Sequence, residues 1–238
     1  AVWLLRSQDI YAPLGLWRRM EPPHWPTIAG FAKLGIPAGL AVMVEVTSFT
    51  LMALFIARQG TTSAAAHQIA ANMAAVLYMV PLSLAIATMA ALGQAVGAHD
   101  RVRARATIRA GLWLAAGSSS FVGLLLWLAA EPVVNAYTDD PGVRLVAAGL
   151  IGYVALYQFF DALQTVAGHC LRAYRVTFVP MLVQTFCFWG IGLAGGYGLA
   201  FPRLGALPPQ GVAGFWQAAV ASTVVASVLF GAYLQVVS

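Results

Sequence analysis

FAKLGIPAGLAVMVEVTSFTLMALFIA, residues 31–57, decides the fold of this chain. Between Lys33 and Arg58 it carries a single charged residue, Glu45. Spanning a hydrocarbon core of roughly 30 Å takes about 20 apolar helical residues, and this stretch exceeds that length. Inside lipid every backbone polar group must bond within its own segment, so such a stretch is helical. The same signature recurs outward from it. Residues 110–130, 176–202 and 204–238 carry no charge at all.

Composition agrees. Of 238 residues, 61% are hydrophobic and 9% charged, where soluble domains run near 25% charged. So few charges cannot cover a water-exposed surface, and the chain reads as an all-α membrane protein. Six spanning helices are expected at about 31–57, 64–96, 110–130, 144–170, 176–200 and 212–236. Pro81 should kink the second. The connections are the basic stretch before residue 31, RQGTTS (58–63), GAHDRVRARATIR (97–109), EPVVNAYTDDPGV (131–143), LRAYR (171–175) and FPRLGALPPQG (201–211). The basic residues lie in these connections, so a net charge of +5 points to membrane topology rather than to nucleic acid. No signal peptide is visible. Residues 1–30 read as the end of a preceding helix, AVWLL, followed by a cytoplasmic connection.

Orientation follows from the asymmetry of Lys and Arg. Alternate connections hold Arg6, Arg18, Arg19, Lys33, Arg101, Arg103, Arg105, Arg109, Arg172 and Arg175 on one side. Arg58, Arg144 and Arg203 lie on the other. This places both ends in the cytoplasm, as an even number of helices requires. Three pairs have GxxxG spacing, Gly35/Gly39, Gly93/Gly97 and Gly192/Gly196, a pattern that permits close helix packing.

The candidate functional residues are acids that do not belong in lipid. Glu45 sits near the middle of the first helix and Asp161 deep in the fourth. A charge at the bilayer centre costs about 2.5–3.5 kcal/mol on insertion scales, so each should face the bundle interior. Either acid could be neutral structural glue between helices, or a functional site. Tyr157, Asp161, Gln164 and Gly168 recur at helical spacing and share one face. Their oxygens could coordinate a hard cation such as Na⁺, or the carboxylate could carry a proton. His67, Gln68 and Asn72 lie within two turns of the second helix, as interhelical hydrogen-bonding groups or as polar residues of a cavity. His24 and His99 fall in loops, and His169 at a helix end carries no strong signal. Cys170 and Cys187 read as small packing residues. Enzyme chemistry is not expected, for the chain has no HExxH, no GxSxG and no Cys/His cluster.

FAKLGIPAGLAVMVEV (31–46), AAAHQIA (64–70), PLSLAIATMAALGQAVGAHD (81–100), YTDDPGV (137–143) and YQFFDALQTVAGHCLRAYR (157–175) together resemble the second half of multidrug and toxic compound extrusion (MATE) transporters, in the NorM-like branch. The resemblance runs in order along nearly the whole chain. It implies two six-helix lobes about a central cavity, of which residues 31–238 would be the C-lobe. It implies export of organic cations across the inner membrane, driven by Na⁺ or H⁺, with Glu45, Tyr157 and Asp161 binding the coupling ion. No further cofactor is implied. The partner would be the missing N-lobe or a second copy of the chain. Competing expectations are a flippase of lipid-linked precursors from the same superfamily, which should carry a more cationic cavity, and a non-transporting fragment or assembly module.

Overall fold

A computed structural model describes residues 23–201 and 210–238. Among them, six helices are long and apolar enough to cross a membrane: α1 (Trp25–Ala57), α2 (Thr61–Gly97), α3 (Arg101–Leu128), α5 (Pro141–Ala173), α6 (Phe178–Ala200) and α7 (Gly211–Val237). A short helix, α4 (Ala130–Tyr137), joins α3 to α5. The described residues contain no strand. Most of the inter-lobe connection, with Arg6, Arg18 and Arg19, and most of the last loop, with Arg203, lie outside the described residues.

Several boundaries differ from the sequence expectation, each for a local reason. α1 starts six residues earlier, because Pro26 sits in its first turn, where a missing N–H costs nothing. α3 starts at Arg101 rather than about 110. The basic stretch is therefore helix, not loop. Asp100 caps it, its Oδ1 accepting from the backbone N–H of Arg103 at 2.9 Å. Asp140 does the same for α5, accepting from Gly142 (2.7 Å) and Val143 (3.2 Å) with Pro141 in the first turn. The acidic connection 131–143 is not all loop, since α4 occupies its first half. α6 is not a uniform α-helix, for Phe186–Gly195 winds as a wider π segment. The remaining ends agree within three residues.

α5 is the hub and packs on α2, α7 and α3. α1 leans mainly on α6 and less on α2. One core, at the end of the bundle where α5 begins, gathers Met52, Ile56, Leu150, Ile151, Phe215 and Trp216. A second, towards the end of α5, is built from smaller residues, among them Ala85, Ala115, Ala162, Val166 and Cys170. Cys170 and Cys187 are buried free thiols, as packing residues should be.

Of the three GxxxG pairs, only Gly192/Gly196 packs. A Cβ on Gly196 would meet Phe215 of α7 at 2.6 Å, and one on Gly192 would meet the Ser222 Oγ at 3.3 Å. Gly35, Gly39, Gly93 and Gly97 have open space around them. Pro81, buried inside α2, withholds one helical N–H one turn beyond Tyr78.

Candidate functional site

Two cavities meet between the hub and the helices around it. The larger, about 320 Å³, is bounded by Glu45 and Phe49 from α1, Tyr78 from α2, and Tyr157 and Asp161 from α5. The smaller, about 30 Å³, holds Glu45, Tyr78, Gln164, His169, Arg172 and Gln184 in its wall. Glu45 and Tyr78 belong to both and form the partition.

Asp161 is 2% exposed, and its Oδ1 accepts from Gln164 Nε2 at 2.8 Å. The i,i+3 spacing on α5 makes that bond local. The Gln164 Oε1 is buried without a protein partner, and an unsatisfied buried acceptor is costly. A hard cation or a water would satisfy it. Tyr157 is held edge-on between two rings, Phe49 at 5.8 Å and Trp216 at 6.0 Å. This packing fixes its phenol beside Asp161.

Glu45 is positioned differently, by polar ties from α6. Gln184 Nε2 donates to Glu45 Oε2 at 3.0 Å. One residue before it, the Val44 carbonyl accepts from Trp189 Nε1 at 3.2 Å. One turn later, Ser48 Oγ donates to the Phe188 carbonyl at 3.1 Å. Two of these contacts land in the π segment, the kind of irregularity that concentrates at functional sites.

The structure thus brings Glu45, Tyr157 and Asp161 to one cavity, and Gln164 and Gly168 to the wall of its neighbour. It separates the second-helix trio. His67 is buried against Trp216, ring centroids 5.9 Å apart, with Nδ1 unpartnered. Gln68 is exposed. Asn72 accepts from the Tyr137 hydroxyl of α4 at 2.8 Å, on the exposed side. None of the three lines either cavity. His169, which carried no signal in the sequence, is buried beside Glu45's cavity. Tyr78 and Gln184 were not anticipated. A lone amide in an apolar run flags Gln184 as interhelical glue, whereas nothing in the sequence around Tyr78 distinguishes it.

Chemically, the larger cavity offers two carboxylates on separate helices together with the phenols of Tyr78 and Tyr157. Two like charges so placed repel each other in a low-dielectric interior, and one cation or proton relieves that repulsion. The donor set is all oxygen, which suits Na⁺ rather than a transition metal. Among the described residues no group of three His, Cys, Asp or Glu side chains could hold a metal ion.

This fold and site define a class, the multi-pass helical membrane proteins that keep ionisable groups in an interior cavity. The MatE family model matches residues 37–197, and the chain belongs to that family. Within it the chain is NorM-like and corresponds to the C-terminal lobe. A probable multidrug resistance protein NorM of Aromatoleum aromaticum is 51% identical over 237 residues, covering 100% of this chain and 51% of that protein. One from Chromobacterium violaceum is 38% identical over 215 residues, covering 90% and 46%. The crystal structure of the eukaryotic MATE transporter AtDTX14 superposes with a TM-score of 0.85 at 18% identity, over 98% of this chain and 51% of that one; at that identity it speaks for the fold alone. The chain spans about half the length of the curated relatives it matches.

Proposed function

We propose that this chain is the cation-coupling lobe of a multidrug exporter, in which inward movement of Na⁺ or H⁺ through the Glu45–Asp161 cavity drives export of organic cations. The observation that carries the reading is the placement of these two carboxylates, 116 positions apart in sequence, on one cavity wall with Tyr157. The relatives' names support it, being multidrug resistance proteins. An acidic wall suits a cationic cargo and disfavours the flippase alternative, whose lipid-linked phosphates need positive charge.

Transport by alternating access rocks one helical bundle against another around a site at their interface. The chain therefore works with a second six-helix lobe, or with a second copy of itself. Its large exposed apolar residues on α1, Ile36 (61%), Val46 (58%) and Leu54 (60%), face that partner or lipid. The asymmetry of ten Lys/Arg residues against three supports a topology with both ends of the chain on the cytoplasmic side of the inner membrane.

The test is gradient-driven efflux of a fluorescent organic cation from cells carrying the lobe together with its partner. Asp161→Asn and Glu45→Gln should each reach the membrane and each lose cation-driven efflux. Efflux at the unmodified rate in both variants overturns the reading.

A further inference from the structure

The smaller cavity contains a fixed positive charge for which the proposed function has no use. Arg172, in the last turn of α5, reaches the same wall as Glu45. Its guanidinium does not pair with that carboxylate here. Arg172 Nη1 lies 3.5 Å from His169 Nε2, while Glu45 accepts from Gln184. The histidine is oriented to receive it: the Thr165 carbonyl at 2.8 Å can only accept, so His169 Nδ1 carries the proton and Nε2 presents its lone pair to Arg172. Arg172 and Glu45 line the same space of about 30 Å³, room for one or two waters.

We propose that Arg172 is an internal counter-charge for Glu45, resting on His169 while the coupling cation is bound and swinging to the carboxylate when the cation leaves. This rests on the cation-coupling reading of Glu45. An exporter must pass through a state in which its cation has gone, and a half-buried ionised carboxylate left without a counter-charge is costly. A guanidinium never loses its charge, and its long stem lets it move between two partners on one cavity wall. Two competing cations on one carboxylate would make release possible without making the empty state prohibitive.

The experiment measures ethidium efflux from cells carrying the lobe with its partner, over a Na⁺ series at fixed pH and over a pH series without Na⁺. Arg172→Gln removes the competitor. The half-saturating concentration of the driving cation should fall roughly tenfold, as expected for removing a neighbouring like charge, and the maximal rate should fall with it because release slows. Arg172→Lys keeps the charge and should keep the half-saturating concentration. Arg172→Met serves if the glutamine variant does not accumulate. A merely structural arginine would lower the rate without tightening cation use. An unchanged half-saturating concentration in the neutral variant overturns the proposal, provided Glu45→Gln loses its drive. A lysine variant that behaves like glutamine also overturns it, since charge would then not be what matters. If Glu45→Gln keeps its drive as well, the coupling reading itself fails and this one falls with it.

Discussion

Helices α1 and α5 have the same length, 33 residues, and each carries one carboxylate into the cavity. They are held in opposite ways. α5 buries seventeen of its residues, and from Ala162 to Leu171 only Leu163 is not buried. α1 buries five, Ala41, Val44, Ser48, Met52 and Ile56, a single stripe one side chain wide. Asp161 is therefore set at the start of the stretch of α5 that has neighbours on nearly every side. Glu45 rides on a helix fastened along one edge, by three hydrogen bonds to α6, the contact of Phe49 with Tyr157 and, further along, the apolar packing of Met52, Phe55 and Ile56. Packed cores resist continuous deformation, and motion between elements runs through the sparser contacts. Of the two acids, Glu45 is the one whose position can change.

Three substitutions break or sharpen that contrast, read as the thermal stability of the detergent-solubilised protein. The largest effect belongs to the hub. Ile151→Ala, at a site 1% exposed, should cost about 2–3 kcal/mol, the low end for a soluble core because lipid rather than water is the alternative environment. A cost below that of any α1 substitution would remove α5 from its central place. Next is the tie between α1 and α6. Gln184→Leu deletes the donor to Glu45 and should cost about 0.6–1.7 kcal/mol, from the average to the largest value for interhelical hydrogen bonds in membranes. It should also impair cation-driven efflux more than stability, since it frees the movable carboxylate. Efflux intact in Gln184→Leu would mean that α1 needs no such fastening. Smallest is Leu54→Ala on the open face of α1, expected within about 0.5 kcal/mol for the lobe alone. A larger loss only when the partner lobe is present would identify that face as the surface between lobes.

The sequence displays the six helices because lipid imposes a length of apolar chain that charge-free runs make visible. It displays Glu45 and Asp161 for the same reason, since an acid inside such a run stands out. It hides the helical character of 101–109, where four arginines read as loop although the helix simply continues out of the bilayer from the Asp100 cap. That signal was present, as was Pro26 at the start of α1, but charge outweighed it. The fate of His67, Gln68 and Asn72 was not legible. Neighbours along one helix point to three places, His67 to Trp216, Gln68 to the exposed surface and Asn72 to Tyr137. The contact of Arg172 with His169 is an i,i+3 pair within α5, but the meeting of Tyr78 and Arg172 with Glu45 at one cavity depends on how α1, α2 and α5 pack, and tertiary packing leaves no local mark in a chain so uniformly apolar.

The π segment of α6 has a consequence for how this helix can change length. Its hydrogen bonds run from residue i to i+5 rather than i+4, so Phe186–Gly195 stores more chain per unit of rise than the α-helical turns on either side. A deletion there, such as Gly190, can draw on that surplus chain as the segment rewinds towards ordinary α-helix. The same deletion in Phe178–Thr185 or in α5 has no slack to draw on and would rotate every later side chain by about 100°. α6 is thus the span of this bundle that holds spare chain for a deletion to draw on.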